Sequence, residues 1–286
     1  MRRERPNPQK QPHPDAEAIN RIKHKTLDKL YAGIGEAGTG RSGVGELCAL
    51  AALSANLYTL VCVAPWLDEE YGSAGELRGR IREVAAALVC RLERETDDLE
   101  RVRGVNALFV LSNMAAEYEQ KMLDLAEPVL GRYEAGRPTA EAALFEAEVC
   151  RMMCNCYCLV QDEALAADAR TIISGWTAVS PSGTVGLPVG VALARCEAAA
   201  AYADYTGDER FRAVRSAGDC GTEEPETICR MLELHLRCGA VSDAEALCDR
   251  IEQDAATGTD RTSQVYRLAA KAACELLRIK DAGFSE

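Results

Sequence analysis

The chain has 286 residues, enough for one large or two small domains, and 48% of them are hydrophobic, sufficient for a substantial core. Its formal net charge is −12 and only 5% of its residues are aromatic. An acidic surface repels phosphate backbones and few aromatics leave few stacking platforms, so no nucleic-acid partner is expected.

Thirteen cysteines accompany a start, MRRERPNPQKQPHPD, that lacks the apolar core of an export signal. Thiols in a chain without export stay reduced, so the cysteines read as small buried hydrophobes and the location as the cytoplasm.

Residues 1–14 hold Pro6, Pro8, Pro12 and Pro14 among charges and read as a disordered tail; residues 15–286 read as a single domain. Asp15 to Tyr31 has helical spacing, with Ile19, Ile22, Leu27 and Leu30 apolar. Gly33 to Gly45 carries six glycines and reads as a loop. The segment after it organises the rest. From Leu47 to Leu67 no side chain is charged. A helix apolar all round is either buried in a core or spans a bilayer. Its length just suffices to cross a membrane. Its many alanines, with Ser54, Asn56, Thr59 and Pro65, favour a buried helix whose small residues let neighbours approach, and no membrane partner is expected.

Ser73-Ala-Gly-Glu76 has capping-box form and starts a helix with Leu77, Ile81, Val84, Leu88 and Leu92 on one stripe. The helical region from Leu99 to Tyr133 is too long for its neighbours and is expected to break near 115–120. Gly136-Arg-Pro138 reads as a turn. Thr139 to Val160 follows, buried on two faces: Phe145, Val149, Met152, Cys156 and Leu159 on one, Cys150, Cys154 and Cys158 on the other. Further helices are expected over Glu163–Val179, Leu187–Tyr205, Asp208–Val214 and Thr222–Cys238, then after a second capping box at Ser242–Glu245, and over Thr262–Ile279. The sum is an all-α chain of about eleven helices in antiparallel hairpins, an α-solenoid or an α/α-toroid. No fixed-period repeat is visible.

The stretch Tyr202-Ala-Asp-Tyr-Thr-Gly-Asp-Glu-Arg-Phe211 resembles the hairpin turn of α/α-toroid proteins such as sugar hydrolases and epimerases; similar turns occur in tetratricopeptide-like arrays. The loop Trp176 to Pro188 resembles the glycine-bearing loops that rim toroid clefts. The resemblance covers about 35 residues and implies an α/α hairpin; the catalytic carboxylates of those enzymes have no counterpart that can be placed on this chain. A full six-hairpin toroid asks for more helix than the chain offers comfortably.

Gly35-Glu-Ala-Gly-Thr-Gly40-Arg41-Ser42 approaches the phosphate-binding loop, but Arg41 stands where lysine belongs and a helix, not a strand, precedes it. Cys150, Cys154, Cys156 and Cys158 lack the paired C-x2-C knuckles of structural zinc, so close packing accounts for them and no metal or other cofactor is expected. His235 lies in an apolar stripe with no nucleophile beside it in the sequence. Trp66 and Trp176 sit at helix ends, where an aromatic face can rim a cavity, and Asp68 and Glu69 follow the first of them. These four are the substrate-binding candidates, each against a plainer role as packing anchor or solvated surface. Two functional expectations stand: a non-catalytic scaffold for a protein or peptide, and a toroid enzyme or binding protein for a carbohydrate or similar small molecule.

Overall fold

The computed structural model describes residues 24–32, 42–133, 140–179, 187–211, 224–239, 241–253 and 260–281. The proline-rich tail, the beginning of the first helix, most of the glycine run, the turn at 136–138 and the loop at 180–186 lie outside them. The described residues form twelve α-helices and no strand: α1 His24–Tyr31, α2 Val44–Val63, α3 Asp68–Tyr71, α4 Ala74–Leu92, α5 Asp98–Ser112, α6 Glu119–Leu130, α7 Ala140–Val160, α8 Glu163–Val179, α9 Val189–Thr206, α10 Pro225–Cys238, α11 Val241–Gln253 and α12 Arg261–Asp281. The all-α class follows directly from the helical spacing of the apolar residues.

Helix boundaries have local causes. Ser73 Oγ accepts from the Glu76 amide at 3.3 Å while the Glu76 carboxylate accepts from the Ser73 amide at 2.8 Å, the reciprocal cap that starts α4. Asp97 Oδ1 accepts from the amides of Leu99 and Glu100 at 2.9 and 3.0 Å and starts α5. The long region breaks after Ser112 and resumes at Glu119 through a 3-10 turn at Ala116–Tyr118. α9 ends at Gly207, whose φ of 74° a side chain tolerates poorly. Beyond it, Asp208 takes Arg210 in a two-point ion pair at 2.6–2.7 Å, and Tyr202 meets Phe211 edge-on at 5.2 Å. The expected short helix there is one 3-10 turn, Glu209–Phe211. α11 begins at Val241, so Ser242 falls inside its first turn and not ahead of it.

α2 is long and apolar enough to cross a membrane, yet more than half of it is buried by other helices. Leu47, Leu50, Leu53, Leu57 and Leu60 are at most 2% exposed. α12, α4 and α5 supply most of this cover. Ser54, buried among them, is satisfied by the Leu50 carbonyl and by Tyr31 of α1, each at 2.6 Å.

The packing partners close a ring. α2 packs on α5, α5 on α7, α7 on α9, α9 on α10, α10 on α12, and α12 returns to α2. Contact between the first and last members distinguishes this from a solenoid, in which a repeat touches only its sequence neighbours. An outer layer covers four of the six seams: α4 lies on α2 and α5, α6 on α5 and α7, α8 on α7 and α9, α11 on α10 and α12. At the α12–α2 seam the short helices α1 and α3 serve, Tyr71 of α3 donating to Glu275 of α12. Short pieces fill an outer position that a full-length helix would otherwise occupy.

Close approach needs small residues at particular points. A side chain on Gly104 of α5 would place its Cβ 2.5 Å from Leu92 of α4, which is fully buried. Cys150 and Cys154 of α7 point to backbone carbonyls of its neighbours, Ala169 at 3.7 Å and Ala198 at 3.9 Å. These thiols act as the small apolar spacers expected of them. The reading of all cysteines as reduced needs one correction: Cys248 of α11 and Cys274 of α12 are joined in a disulfide, linking an outer helix to an inner one.

Candidate functional site

A cavity of about 130 Å³ lies within the ring, and every inner helix contributes to its wall. α2 presents its small residues there: Gly45, Cys48, Ala51, Ala52 and Ala55, with Asn56 at the end. Spacings of three and four put these on one side of the helix. Larger side chains at those positions would fill the space. The opposite sides of α2 carry the leucines of the core.

The other walls are charged. α5 supplies Glu100, Arg103 and Asn106; α7 supplies Glu148 and Arg151; α9 supplies Glu197; α10 supplies Glu226, Cys229, Arg230 and Glu233; α12 supplies Tyr266. Five carboxylates thus face three guanidiniums. On α10 the run Glu226, Arg230, Glu233 follows helical spacing, opposed by an apolar side with Ile228, Met231 and Leu232 that is 3% exposed or less.

Most of these charges neutralise one another. Arg230 donates to Glu148 at 2.8 Å and to both oxygens of Glu197 at 2.5 and 3.0 Å. Arg151 donates to Glu197 at 2.8 Å. Glu148 also accepts from Asn106 at 3.0 Å, and Asn106 accepts in turn from Asn155 at 2.9 Å. Glu148 is 1% exposed and Glu197 7% exposed. Buried carboxylates survive only with such partners, because removing a lone charge from water is prohibitive. Burial would raise the Glu197 carboxyl, but Arg230 and Arg151 outweigh it and hold it down at about 2. The same carboxylates push Arg230 upward against the effect of its burial.

Glu233 differs. It accepts from Asn56 at 3.0 Å and from the Cys229 thiol at 3.5 Å, both on Oε1, and no cation among the described residues pairs with it. Burial raises its carboxyl; the Asn56 hydrogen bond works against that and the Glu197 charge adds to it. The cavity thiols are poor nucleophiles. Burial, helped by Glu226 and Glu100, pushes Cys48 up to about 12, and burial with Glu233 raises Cys229 well above its ordinary value. Among the described residues no group of three or more His, Cys, Asp or Glu side chains is placed to hold a metal ion.

The four residues singled out from the sequence lie elsewhere. Trp66 is 56% exposed in the 3-10 turn Pro65–Leu67, and Asp68 and Glu69 are exposed in α3 beside it. Trp176 is buried on outer helix α8, where its indole donates to Glu146 at 2.7 Å and Arg195 stacks 4.9 Å from its ring centre. Both faces of its chemistry are used in joining α8 to α7 and α9. None of the four lines the cavity. His235 is buried on α10 and does not line it either. Ser42 is the only described residue of the phosphate-loop-like stretch. The residues that sequence reasoning passed over are Glu148, Arg151, Glu197, Arg230 and Glu233. The visible signal was the spacing of Glu226, Arg230 and Glu233 along α10.

The chain matches no protein-family model, and comparisons with curated proteins and with solved structures return no match.

Proposed function

We propose that this protein binds a small charged molecule within its ring of helices. One observation carries the reading: a cavity to which all six inner helices contribute, with ionised side chains on four of them. Small-molecule sites are concave and use a few convergent polar groups to fix the ligand. Charges are costly to keep inside a fold, and apolar residues of similar volume would stabilise a ring that had only to stand up. The charged lining favours an ionic ligand over a neutral carbohydrate, and among the described residues Tyr266 is the single aromatic side chain on the wall. The paired state of Arg151 and Arg230 and the raised thiols favour binding over covalent chemistry.

A non-catalytic scaffold for a protein or peptide partner is the second reading. It has in its favour the exposed Val63 and Trp66 near the end of α2, 42% and 56% accessible. The two readings separate in one experiment. Thermal unfolding of the purified protein is followed against amines, amino acids, carboxylates, sugars, sugar phosphates and nucleotides. A ligand at about 100 times its dissociation constant raises stability by about 2.7 kcal/mol. A shift that Glu233→Gln or Arg103→Gln weakens places the ligand in the cavity. No shift with any class overturns the small-molecule reading and leaves the surface at Val63 and Trp66 as the object of partner searches.

A further inference from the structure

We infer that the cavity takes a small amino carboxylate, its ammonium group against Glu233 and its carboxylate against Arg103. This rests on the small-molecule reading above and names the ligand's chemistry.

The inference comes from accounting for every charge on the wall. Glu148, Glu197, Arg151 and Arg230 form one mutually paired cluster. Glu226 lies 3.6 Å from Arg230 and is held at the edge of that cluster. Three groups remain: Glu233, and Arg103 with Glu100 in a looser ion pair. Glu233 receives only the neutral donors Asn56 and Cys229, both on one oxygen, so its second oxygen has no protein hydrogen bond. Arg103 has a single ionic neighbour, Glu100 at 3.6 Å, beyond hydrogen-bond distance, and its buried Nε has no hydrogen-bond partner. Arg103 stands on α5 and Glu233 on α10, helices separated in the ring by α2 and α12 on one side. The two do not pair with each other, although they line the same space. A guest with a positive and a negative end satisfies both.

Size agrees. An apolar cavity of about 150 Å³ holds a molecule as large as benzene, so about 130 Å³ accommodates a guest of comparable bulk. Short amino carboxylates fit this; nucleotides and disaccharides do not. An ammonium group beside Glu233 would also favour its ionised form, which burial alone opposes.

The test uses the full chain and calorimetric titration with glycine, β-alanine and γ-aminobutyrate, beside propylamine and butyrate, which each lack one charged end. The expected result is that at least one amino carboxylate binds about tenfold or more tightly than both single-ended controls. Glu233→Gln is expected to abolish the advantage over butyrate, and Arg103→Gln the advantage over propylamine. Circular dichroism and melting temperature check that both variants fold; the wild-type ligand series decides the matter if either does not. Equal binding of propylamine and the best amino carboxylate, or of butyrate and the best amino carboxylate, overturns the inference. So does the absence of any amino-carboxylate binding. Binding of a sugar phosphate or another class at this wall, with amino carboxylates inert, removes the zwitterion and leaves the small-molecule reading standing. Silence from every class removes both.

Discussion

Arg230 reaches from α10 to carboxylates on both α7 and α9, and so ties three inner helices through one guanidinium. Removing one partner of a buried ionic cluster leaves uncompensated charge and costs about 3–5 kcal/mol. Glu197→Gln should therefore lower stability by an amount in that range, measured by urea unfolding. Glu233→Gln should not, because it replaces a partly buried carboxylate that lacks a paired cation. The two carboxyls also have opposite linkage to pH. Glu197 has its folded value depressed to about 2, so its contribution is fully present above its unfolded value of about 4.5 and is lost as the pH falls towards 2. Glu233 is raised on folding, so its ionisation lowers stability as the pH rises from about 4.5 through its folded value. A urea series in pH should show Glu197→Gln flattening the acid limb, and Glu233→Gln removing a decline on the neutral side. Equal effects of the two substitutions at neutral pH would contradict this account of the cluster.

At the scale of elements, the meeting of α4 and α5 depends on Gly104. A methyl group there would come within 2.5 Å of Leu92 Cδ2 and 3.1 Å of its Cγ, and Leu92 is fully buried, so its side chain must shift inside the core. Overpacking of this kind costs about 1–3 kcal/mol. Gly104→Ala should lower stability by that amount even though alanine is the better helix former by about 1 kcal/mol. A gain in stability would mean that the two helices slide apart freely. At Gly79, also on α4, nothing stands within 4 Å of the added carbon, so Gly79→Ala is the matched control and should stabilise. The same logic explains α2. Its leucines hold the ring together while its small residues, on another side, leave the cavity open.

For the whole molecule, the seam between α11 and α12 is covalent. The disulfide Cys248–Cys274 spans 26 residues of sequence. Closing a loop of that size restricts the unfolded chain and is worth about 3 kcal/mol. Peptide mapping without reductant should recover the Cys248–Cys274 pair, and reductant should lower the melting temperature of the wild type but not of Cys248→Ser. Because α12 also closes the ring on α2 and carries Tyr266 to the cavity wall, reduction should weaken ligand binding as well as stability.

Much of this architecture was legible in the residues. Apolar spacing defined the helices from Val44 onward, the cap at Ser73 located the start of α4, and the uncharged run after Leu47 identified the helix that the others cover. These are local properties, set by a period of 3.6 residues and by backbone groups at helix ends. The site was not legible in that way. A polar stripe on an amphipathic helix looks the same whether it faces bulk water or the inside of a ring, so nothing local marks Glu226, Arg230 and Glu233 as facing inward. Trp66 and Trp176 drew attention because they are large and rare, yet one is at the surface and the other joins outer helix to inner. Pairing of Glu148 and Glu197 with Arg230 spans 82 and 33 residues of sequence, and no local rule connects them. Sequence alone determined the helices, because helix formation is decided over a few turns. Tertiary structure alone decided which polar faces turn inward, because that depends on α12 returning to α2 and closing the ring.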